Sequence, residues 1–290
     1  MQNNFSGQKI DWTRFNKVKE MFRNYHKQGK INTACYECPF LEYKKWDGGN
    51  YIENLYISHW THCNSKCIYC YERQNPDEFN GSKNYKVLPF IKQLHESGML
   101  HPGGMIYFGG GEPCVLDEFE DLITYLLDNF YWGIRVHSSG IKFSPAMARA
   151  IEEVRGYMIV SVDAGCPETY KKIKQIDCYD KVLDNLRKYA LKTNFKGRYL
   201  VSGKYIIIPG INDNKEEIEK WIRANYEAGL WTTSLDIEES WYFKHRYNIP
   251  KYIFDLINYA KKRSKQLNTN FEVYERMENM LEDEKNKKVK

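Results

Sequence analysis

The chain has 290 residues, of which 42% are apolar and 28% are charged. This composition allows a sizeable buried core and is not that of a disordered protein. The net charge of +5 is mild, and the basic residues are dispersed except near residue 290, so we do not expect nucleic-acid binding. No apolar run approaches the ~20 residues that span a bilayer, and no basic segment followed by an apolar one opens the chain. We therefore expect a cytoplasmic protein without membrane association.

Residues 1–50 predict a helical extension, because apolar side chains recur at helical spacing from Trp12 to Tyr25. Between residues 53 and 265, short apolar runs typical of buried parallel strands alternate with helical patterns. The predicted strands are Asn54–Ser58, Met105–Phe108, Ile134–His137, Met158–Val162, Tyr205–Ile208 and Ser234–Ile237. The predicted helices are Lys86–Ser97, Asp117–Phe130, one capped by Ser144 with Pro145 in its first turn, Tyr179–Thr193, Asp213–Ala228 and Pro250–Gln266.

About six strand–helix units predict an α/β fold, a partial (β/α)6 barrel of parallel strands with an N-terminal helical extension. The expected domains are the extension at 1–50, the core barrel at 51–242, and a C-terminal helix and tail at 243–290. In such a sheet, chemistry belongs at the carboxyl ends of the strands.

Three of the eight cysteines, Cys63, Cys67 and Cys70, lie within eight residues directly after the first predicted strand. Thiolates in a reducing compartment are suited to iron–sulfur clusters or zinc. No further cysteine follows within forty residues, so a cluster held by this loop would keep one iron open, which is typical of a catalytic site. The alternative is a zinc site completed by His62 or by the Cys35/Cys38 pair.

The spacing Cys-x3-Cys-x2-Cys, with Tyr69 before the last cysteine, resembles the signature of the radical S-adenosylmethionine (SAM) superfamily, and the resemblance covers roughly residues 53–240. It implies an oxygen-sensitive enzyme with a [4Fe–4S] cluster, to whose open iron SAM binds. It also implies reductive cleavage of SAM to a 5′-deoxyadenosyl radical, which abstracts hydrogen from a substrate. A flavodoxin- or ferredoxin-type protein is the implied electron donor.

Further residues at strand ends resemble SAM-binding positions of that family. The turn after the second strand resembles its Gly-Gly-Glu motif, which binds the SAM amino group, and the ends of the next strands resemble positions that reach SAM. A plain turn or a solvated side chain is the alternative at most of them. The candidate cofactor-binding residues are Tyr69, Gly109, Gly110, Gly111, Glu112, Ser138, Ser161, Asp163 and Lys204.

The catalytic residues are unknown, and the candidates are Cys114, Cys166 and Glu238, each just past a strand end. We expect a small polar substrate, with a sugar or nucleotide sugar among the candidates. The alternatives are radical SAM modification of a peptide or protein, and a zinc- or cluster-binding protein without catalysis. The pair Cys35 and Cys38 is a candidate for a second metal site.

Overall fold

The computed structural model describes residues 9–29, 51–58, 62–74, 86–193, 200–274 and 276–282. The predicted candidate site at Cys35 and Cys38 lies outside these residues. The chain divides into two compact units, residues 1–52 with 85–101, and residues 53–84 with 102–290. The domain boundaries expected from the sequence stay a prediction.

The described residues of the first unit include two helices, α1 (Trp12–Lys27) and α3 (Leu88–Glu96), and both match predicted helices. The Ile10 amide donates to the Gln93 side chain at 2.9 Å, and the Ile52 amide donates to the Met99 carbonyl at 2.7 Å. Ile91 and Leu94 form the buried face of α3.

A seven-stranded sheet with strand order β1 to β7 organises the chain, and the neighbouring pairs from β2 to β7 are parallel. The α/β fold with parallel strands, predicted as a partial barrel, is confirmed. The strands are β1 (Ile52–Ser58), β2 (Leu100–Gly109), β3 (Gly133–Ser138), β4 (Gly156–Ser161), β5 (Val201–Ile207), β6 (Thr232–Ile237) and β7 (Asn270–Val273).

Helices connect successive strands, and their apolar faces cover the sheet. Along β3, Ile134 and Val136 are fully buried, while the alternate residue His137 lines a cavity. This two-residue alternation separates the packed face of the sheet from the face that carries polar side chains. The remaining helices are α2 (Tyr71–Gln74), α4 (Phe119–Asn129), α5 (Pro145–Glu152), α6 (Pro167–Lys174), α7 (Tyr179–Ala190), α8 (Lys215–Glu227), α9 (Glu239–His245) and α10 (Lys251–Gln266), with a further helical segment at 276–282.

The predicted cap of α5 is confirmed, since the Ser144 hydroxyl accepts from the Met147 amide at 3.1 Å and Pro145 occupies the first turn. Strand β2 begins at Leu100, five residues before its predicted start. The prediction began too late because Pro102 and two glycines, which usually end a strand, lie inside β2. Strand β7 and helices α6 and α9 were not predicted. Among the described residues, no helix combines the length and apolar character needed to cross a membrane.

Candidate functional site

A cavity of about 790 Å³ lies in the second unit, at the carboxyl ends of the strands. This volume is in the range of cavities that bind small molecules. Its lining joins the cysteine loop, the turn after β2 and the ends of β3 to β6. The lining residues are Cys63, Ser65, Cys67, Tyr69, Cys70, Tyr71, Arg73, Gly110, Gly111, Glu112, His137, Ser138, Ser139, Ser161, Lys174, Lys204, Ile206, Asp236, Ile237, Glu238, Glu239 and Arg276.

All three cysteines of the loop after β1 line this cavity. The Cys63 sulfur accepts a hydrogen bond from the Ser65 amide at 3.4 Å. Burial raises the pKa of the Cys63 thiol to about 11; the Ser65 amide opposes this shift, and the negative charges of Glu112, Cys67 and Cys70 add to it. A bound cation favours the thiolate form that burial disfavours, and three cysteine sulfurs in the lining of one cavity are a donor set that fits a metal cluster.

Within the described ranges, no three histidine, cysteine or acidic side chains meet at the position of a single metal ion. In a cubane cluster each thiolate ligates a different iron, so the three cysteines need not converge on one point.

The turn after β2 brings Glu112 next to the cysteine loop. Gly110 and Gly111 have φ angles of +69° and +47°, a conformation that side chains other than glycine adopt at a cost. The Glu112 amide donates to the His62 carbonyl at 2.8 Å, one residue before Cys63. The turn is therefore tied to the residue directly before the first cysteine.

The Glu112 carboxylate is buried and accepts three hydrogen bonds. The Cys114 amide donates at 3.1 Å, the Ser138 hydroxyl donates at 2.8 Å, and the Ser139 amide donates to the second oxygen. A carboxylate has about four acceptor sites, so these contacts leave one for a donor in the cavity. An ammonium group is the donor that gains most from such a site.

Residues from β3 and β5 complete the lining next to this turn. The Ser139 hydroxyl donates to the Asn64 side chain at 3.0 Å, which ties the end of β3 to the cysteine loop. Lys204 of β5 forms an ion pair with Asp236 of β6 at 2.9 Å, and its ammonium lies 3.8 Å from the centre of the Tyr274 ring. Lys204 therefore points toward the β6 side of the cavity.

Asp163 has a different environment from the other candidate cofactor residues. Asp163 is fully buried and is not among the cavity-lining residues. Gly109 is also absent from the lining. The Tyr69 hydroxyl donates to one Asp163 oxygen at 2.5 Å, and Lys174 forms an ion pair with the same oxygen. The Ile206 amide donates to the other oxygen at 2.8 Å. The carboxylate is thus satisfied by protein groups.

The far end of the cavity carries charges of both signs that sequence reasoning only partly identified. Asp236 contacts Arg276 at 3.5 Å in addition to Lys204, and Arg276 contacts Glu239 at 3.4 Å. Arg276 was not predicted, because it follows β7, a strand that the pattern did not reveal. Lys174 was also missed, since nothing in its local sequence marks a lysine that is buried.

Two of the three candidate catalytic residues do not line the cavity. Cys114 is fully buried beside Ser138, with 3.8 Å between sulfur and hydroxyl oxygen. Cys166 precedes α6, and its sulfur lies 3.3 Å from a Glu217 oxygen. Glu238 lines the cavity, and its carboxylate caps α9 by accepting from the amides of the following turn. The structure therefore brings together the three cysteines and the turn Gly110–Glu112, hereafter the Gly–Glu turn. Ser138, Ser139, Ser161 and Glu238 lie in the lining of the same cavity.

Comparisons with known proteins identify several relatives. The chain is 26% identical over 153 residues to a probable GTP 3′,8-cyclase of Methanocaldococcus jannaschii, covering 51% of this chain and 50% of that protein. It is 26% identical over 187 residues to the GTP 3′,8-cyclase of Clostridium perfringens strain SM101, covering 62% and 53%. The chain thus spans about half the length of the curated relatives it matches.

The fold is similar to that of Streptococcus suis SuiB. The crystal structure of SuiB bound to the precursor peptide SuiA has a TM-score of 0.56 at 12% identity, covering 89% of this chain and 62% of SuiB. The structure of SuiB bound to S-adenosylmethionine has a TM-score of 0.55, covering 94% and 55%. At this identity the likeness concerns the fold alone.

The sequence model of the Radical SAM superfamily matches residues 57–222, more than half of the chain. This region contains the three cysteines, the Gly–Glu turn and the ends of β3 to β5. The predicted family, enzymatic character and cofactors are confirmed: the protein belongs to the Radical SAM superfamily, whose enzymes use a [4Fe–4S] cluster and SAM.

Proposed function

We propose that Cys63, Cys67 and Cys70 ligate three irons of the [4Fe–4S] cluster and that SAM occupies the adjacent part of the cavity. When bound, the two cofactors supply one-electron cleavage of SAM and hydrogen abstraction from a substrate. The substrate is a small polar molecule held at the β6 side of the same cavity. A flavodoxin- or ferredoxin-type protein as the electron donor stays a prediction.

The observation that carries this proposal is the junction of the cysteine loop with the Gly–Glu turn. The Glu112 amide bonds to the residue before Cys63, and the Glu112 charge acts on the Cys63 thiol. The carboxylate retains one acceptor site for the SAM amino group. Ser138 holds Glu112 in place through a 2.8 Å hydrogen bond, so we assign it an orienting role at this site.

The charges at the far end of the cavity support a polar substrate. Lys204, Asp236 and Arg276 form one ion-paired group, so a substrate with hydroxyl, amino or carboxylate groups would exchange hydrogen bonds with it. An apolar substrate would strip water from these charges without replacing it. The comparisons give no support to a sugar or nucleotide sugar, so the proposal extends only to a small polar molecule.

Modification of a peptide is the second candidate, and helix α9 favours it. This helix begins at the cavity residue Glu239, directly after the cavity residue Glu238, and none of its residues is buried. Phe243 is 57% exposed, and Tyr247, just after the helix, is 80% exposed. Exposed aromatic side chains on and just after a helix that begins in the lining of a site are suited to holding a longer substrate.

The direct test is cleavage of SAM by the anaerobically reconstituted enzyme with dithionite as the reductant. We expect about four irons per chain, and formation of 5′-deoxyadenosine and methionine. Alanine at Cys63, Cys67 or Cys70 abolishes both, whereas Cys178→Ser, at a cysteine outside the cavity lining, retains them. A wild-type enzyme that carries the cluster yet forms no 5′-deoxyadenosine would overturn the proposal.

Substitutions of the exposed aromatic residues Phe243 and Tyr247 distinguish the two substrate classes. For a small polar substrate, Phe243→Ala and Tyr247→Ala leave substrate-dependent 5′-deoxyadenosine formation unchanged, while Asp236→Asn reduces it. Loss of that activity in Phe243→Ala and Tyr247→Ala would favour a peptide substrate, provided that both variants still cleave SAM when no substrate is present.

A further inference from the structure

The C-terminal end of α6 binds the cysteine loop on both sides of Cys67. The Lys66 amide donates to the Lys174 carbonyl at 2.9 Å, and the Ile68 amide donates to the Ile173 carbonyl at 3.0 Å. The last carbonyls of a helix have no partner within the helix. Here the loop supplies two of the missing donors.

The side chain of Lys174 makes a second connection to the same loop. Its ammonium donates to the Tyr69 hydroxyl at 2.8 Å and pairs with Asp163, and both charged residues are buried. Tyr69 lies between the second and third cysteines, so its hydroxyl links the loop to the ion pair. Lys174 thus contacts the loop through its main chain and through its side chain.

Asp163 is held in a conformation that few residues adopt without support. Its φ angle is +58°, in the left-handed region, which is unfavourable for a residue other than glycine. The Asn212 side chain donates to the Asp163 carbonyl at 2.9 Å, and the Ile206 amide donates to its carboxylate. The surrounding backbone therefore fixes the carboxylate that receives Lys174 and Tyr69.

This ion pair is one hydrogen bond away from Tyr69, the residue before Cys70, and the Lys174 carbonyl accepts from the amide of the residue before Cys67. Burial opposes the charge of Lys174, but Asp163 first, and Cys67 after it, raise the pKa of its ammonium above the ordinary value, so it stays charged. A buried ion pair is seldom more stabilising than well-packed apolar side chains of the same volume. Stability of the fold alone therefore gives little reason for charges at this place.

We propose that Lys174 is a positioning residue that fixes the cysteine loop through Tyr69 and Asp163, and that the balance of the Lys174 and Asp163 charges tunes the reduction potential of the cluster. The inference rests on the proposed ligation of the cluster by Cys63, Cys67 and Cys70. It assigns Asp163 to the support of the loop rather than to contact with SAM.

The test is the midpoint potential of the cluster, measured by EPR-monitored anaerobic titration of the reconstituted enzyme. Because an added electron is favoured near a positive charge and disfavoured near a negative one, Lys174→Met lowers the potential and Asp163→Asn raises it. The double variant returns toward the wild-type value. Lys171→Met, an exposed lysine on the same helix, is the matched control and leaves the potential unchanged.

Shifts of the two single variants in the same direction, or no shift beyond that of Lys171→Met, would overturn the tuning by charge. A wild-type enzyme that assembles no cluster would instead contradict the proposed function, so the two failures are distinguishable.

Tyr69→Phe tests the positioning role without removing either charge. We expect the cluster to be lost to a chelator roughly tenfold faster than in the wild type, with a potential close to the wild-type value. If Lys174→Met does not fold, this variant still tests the positioning role, and the potential of Asp163→Asn still tests the tuning by charge. A wild-type rate of cluster loss in Tyr69→Phe would contradict the positioning role.

Discussion

The Glu112→Gln substitution has a consequence that follows from the direction of three hydrogen bonds. One carboxylate oxygen accepts from the Cys114 amide, and the other accepts from the Ser139 amide. A glutamine has one oxygen and one NH₂ group, so in either orientation its NH₂ faces a backbone N–H. The Ser138 hydroxyl can rotate to adapt, whereas the two amides cannot.

The cost is that of leaving one buried backbone donor unsatisfied, about 1–3 kcal/mol in the free energy of unfolding. The variant also loses the negative charge offered to the SAM ammonium, and loss of a charged hydrogen bond weakens binding roughly ten- to a hundredfold. Asp117→Asn, at an exposed carboxylate five residues further on, is the control. Chemical unfolding and equilibrium binding of SAM to the reconstituted enzyme measure the two effects.

If Glu112→Gln unfolds like the wild type and binds SAM with wild-type affinity, the carboxylate is neither a buried acceptor of these amides nor a SAM contact. Loss of stability with unchanged SAM affinity would retain the first role and refute the second.

Two further predictions concern stability. Burial first, then the charges of Lys204 and Arg135, lower the pKa of His137 from 6.5 to about 4, so the unfolded chain binds more protons between these values. The free energy of unfolding of the wild type therefore falls by about 3 kcal/mol as the pH falls from about 6.5 to about 4. In His137→Asn it falls by correspondingly less, and chemical unfolding of both proteins across this pH range measures the difference. Gly203→Ala would place a methyl group 1.9 Å from the Asn225 side-chain oxygen, a buried group on α8, and we expect a loss of about 1–3 kcal/mol in chemical unfolding.

Each of these two predictions has a result that would contradict it. An equal pH dependence in His137→Asn and the wild type would show that His137 titrates normally in the folded protein. For the glycine, the control is Gly103→Ala, since no atom lies within 4 Å of a methyl group added there. A loss of stability no larger at position 203 than at 103 would contradict the close contact with Asn225.

The features that could be predicted from the sequence are those with a local cause. The cap of α5 depends on Ser144 and Pro145, which are adjacent, and the cysteine loop and the Gly–Glu turn each lie within a few residues. Because parallel strands end at the same edge of a sheet, motifs that follow successive strands meet in one cavity even though they are far apart in the chain. The family, the fold and the general position of the site followed from these patterns.

The features that were missed depend on contacts between distant residues. Helix α6 has only eight residues, of which three are lysines, and its last lysine is buried only because Asp163 and Tyr69 receive it. Strand β7 has four residues and is formed by pairing with β6 rather than by its own pattern. The contacts of the Asp163 carboxylate with Tyr69, Lys174 and the Ile206 amide likewise join residues that are far apart in the chain.

The central claim is that Cys63, Cys67 and Cys70 hold a cluster whose open iron binds SAM. EPR spectroscopy of the dithionite-reduced, reconstituted enzyme, recorded with and without SAM, tests it most directly. We predict a reduced cluster signal that changes when SAM is added, that is absent when any one of the three cysteines is replaced by alanine, and that persists in Cys178→Ser. A signal that survives replacement of these cysteines, or that SAM does not alter, would contradict the claim.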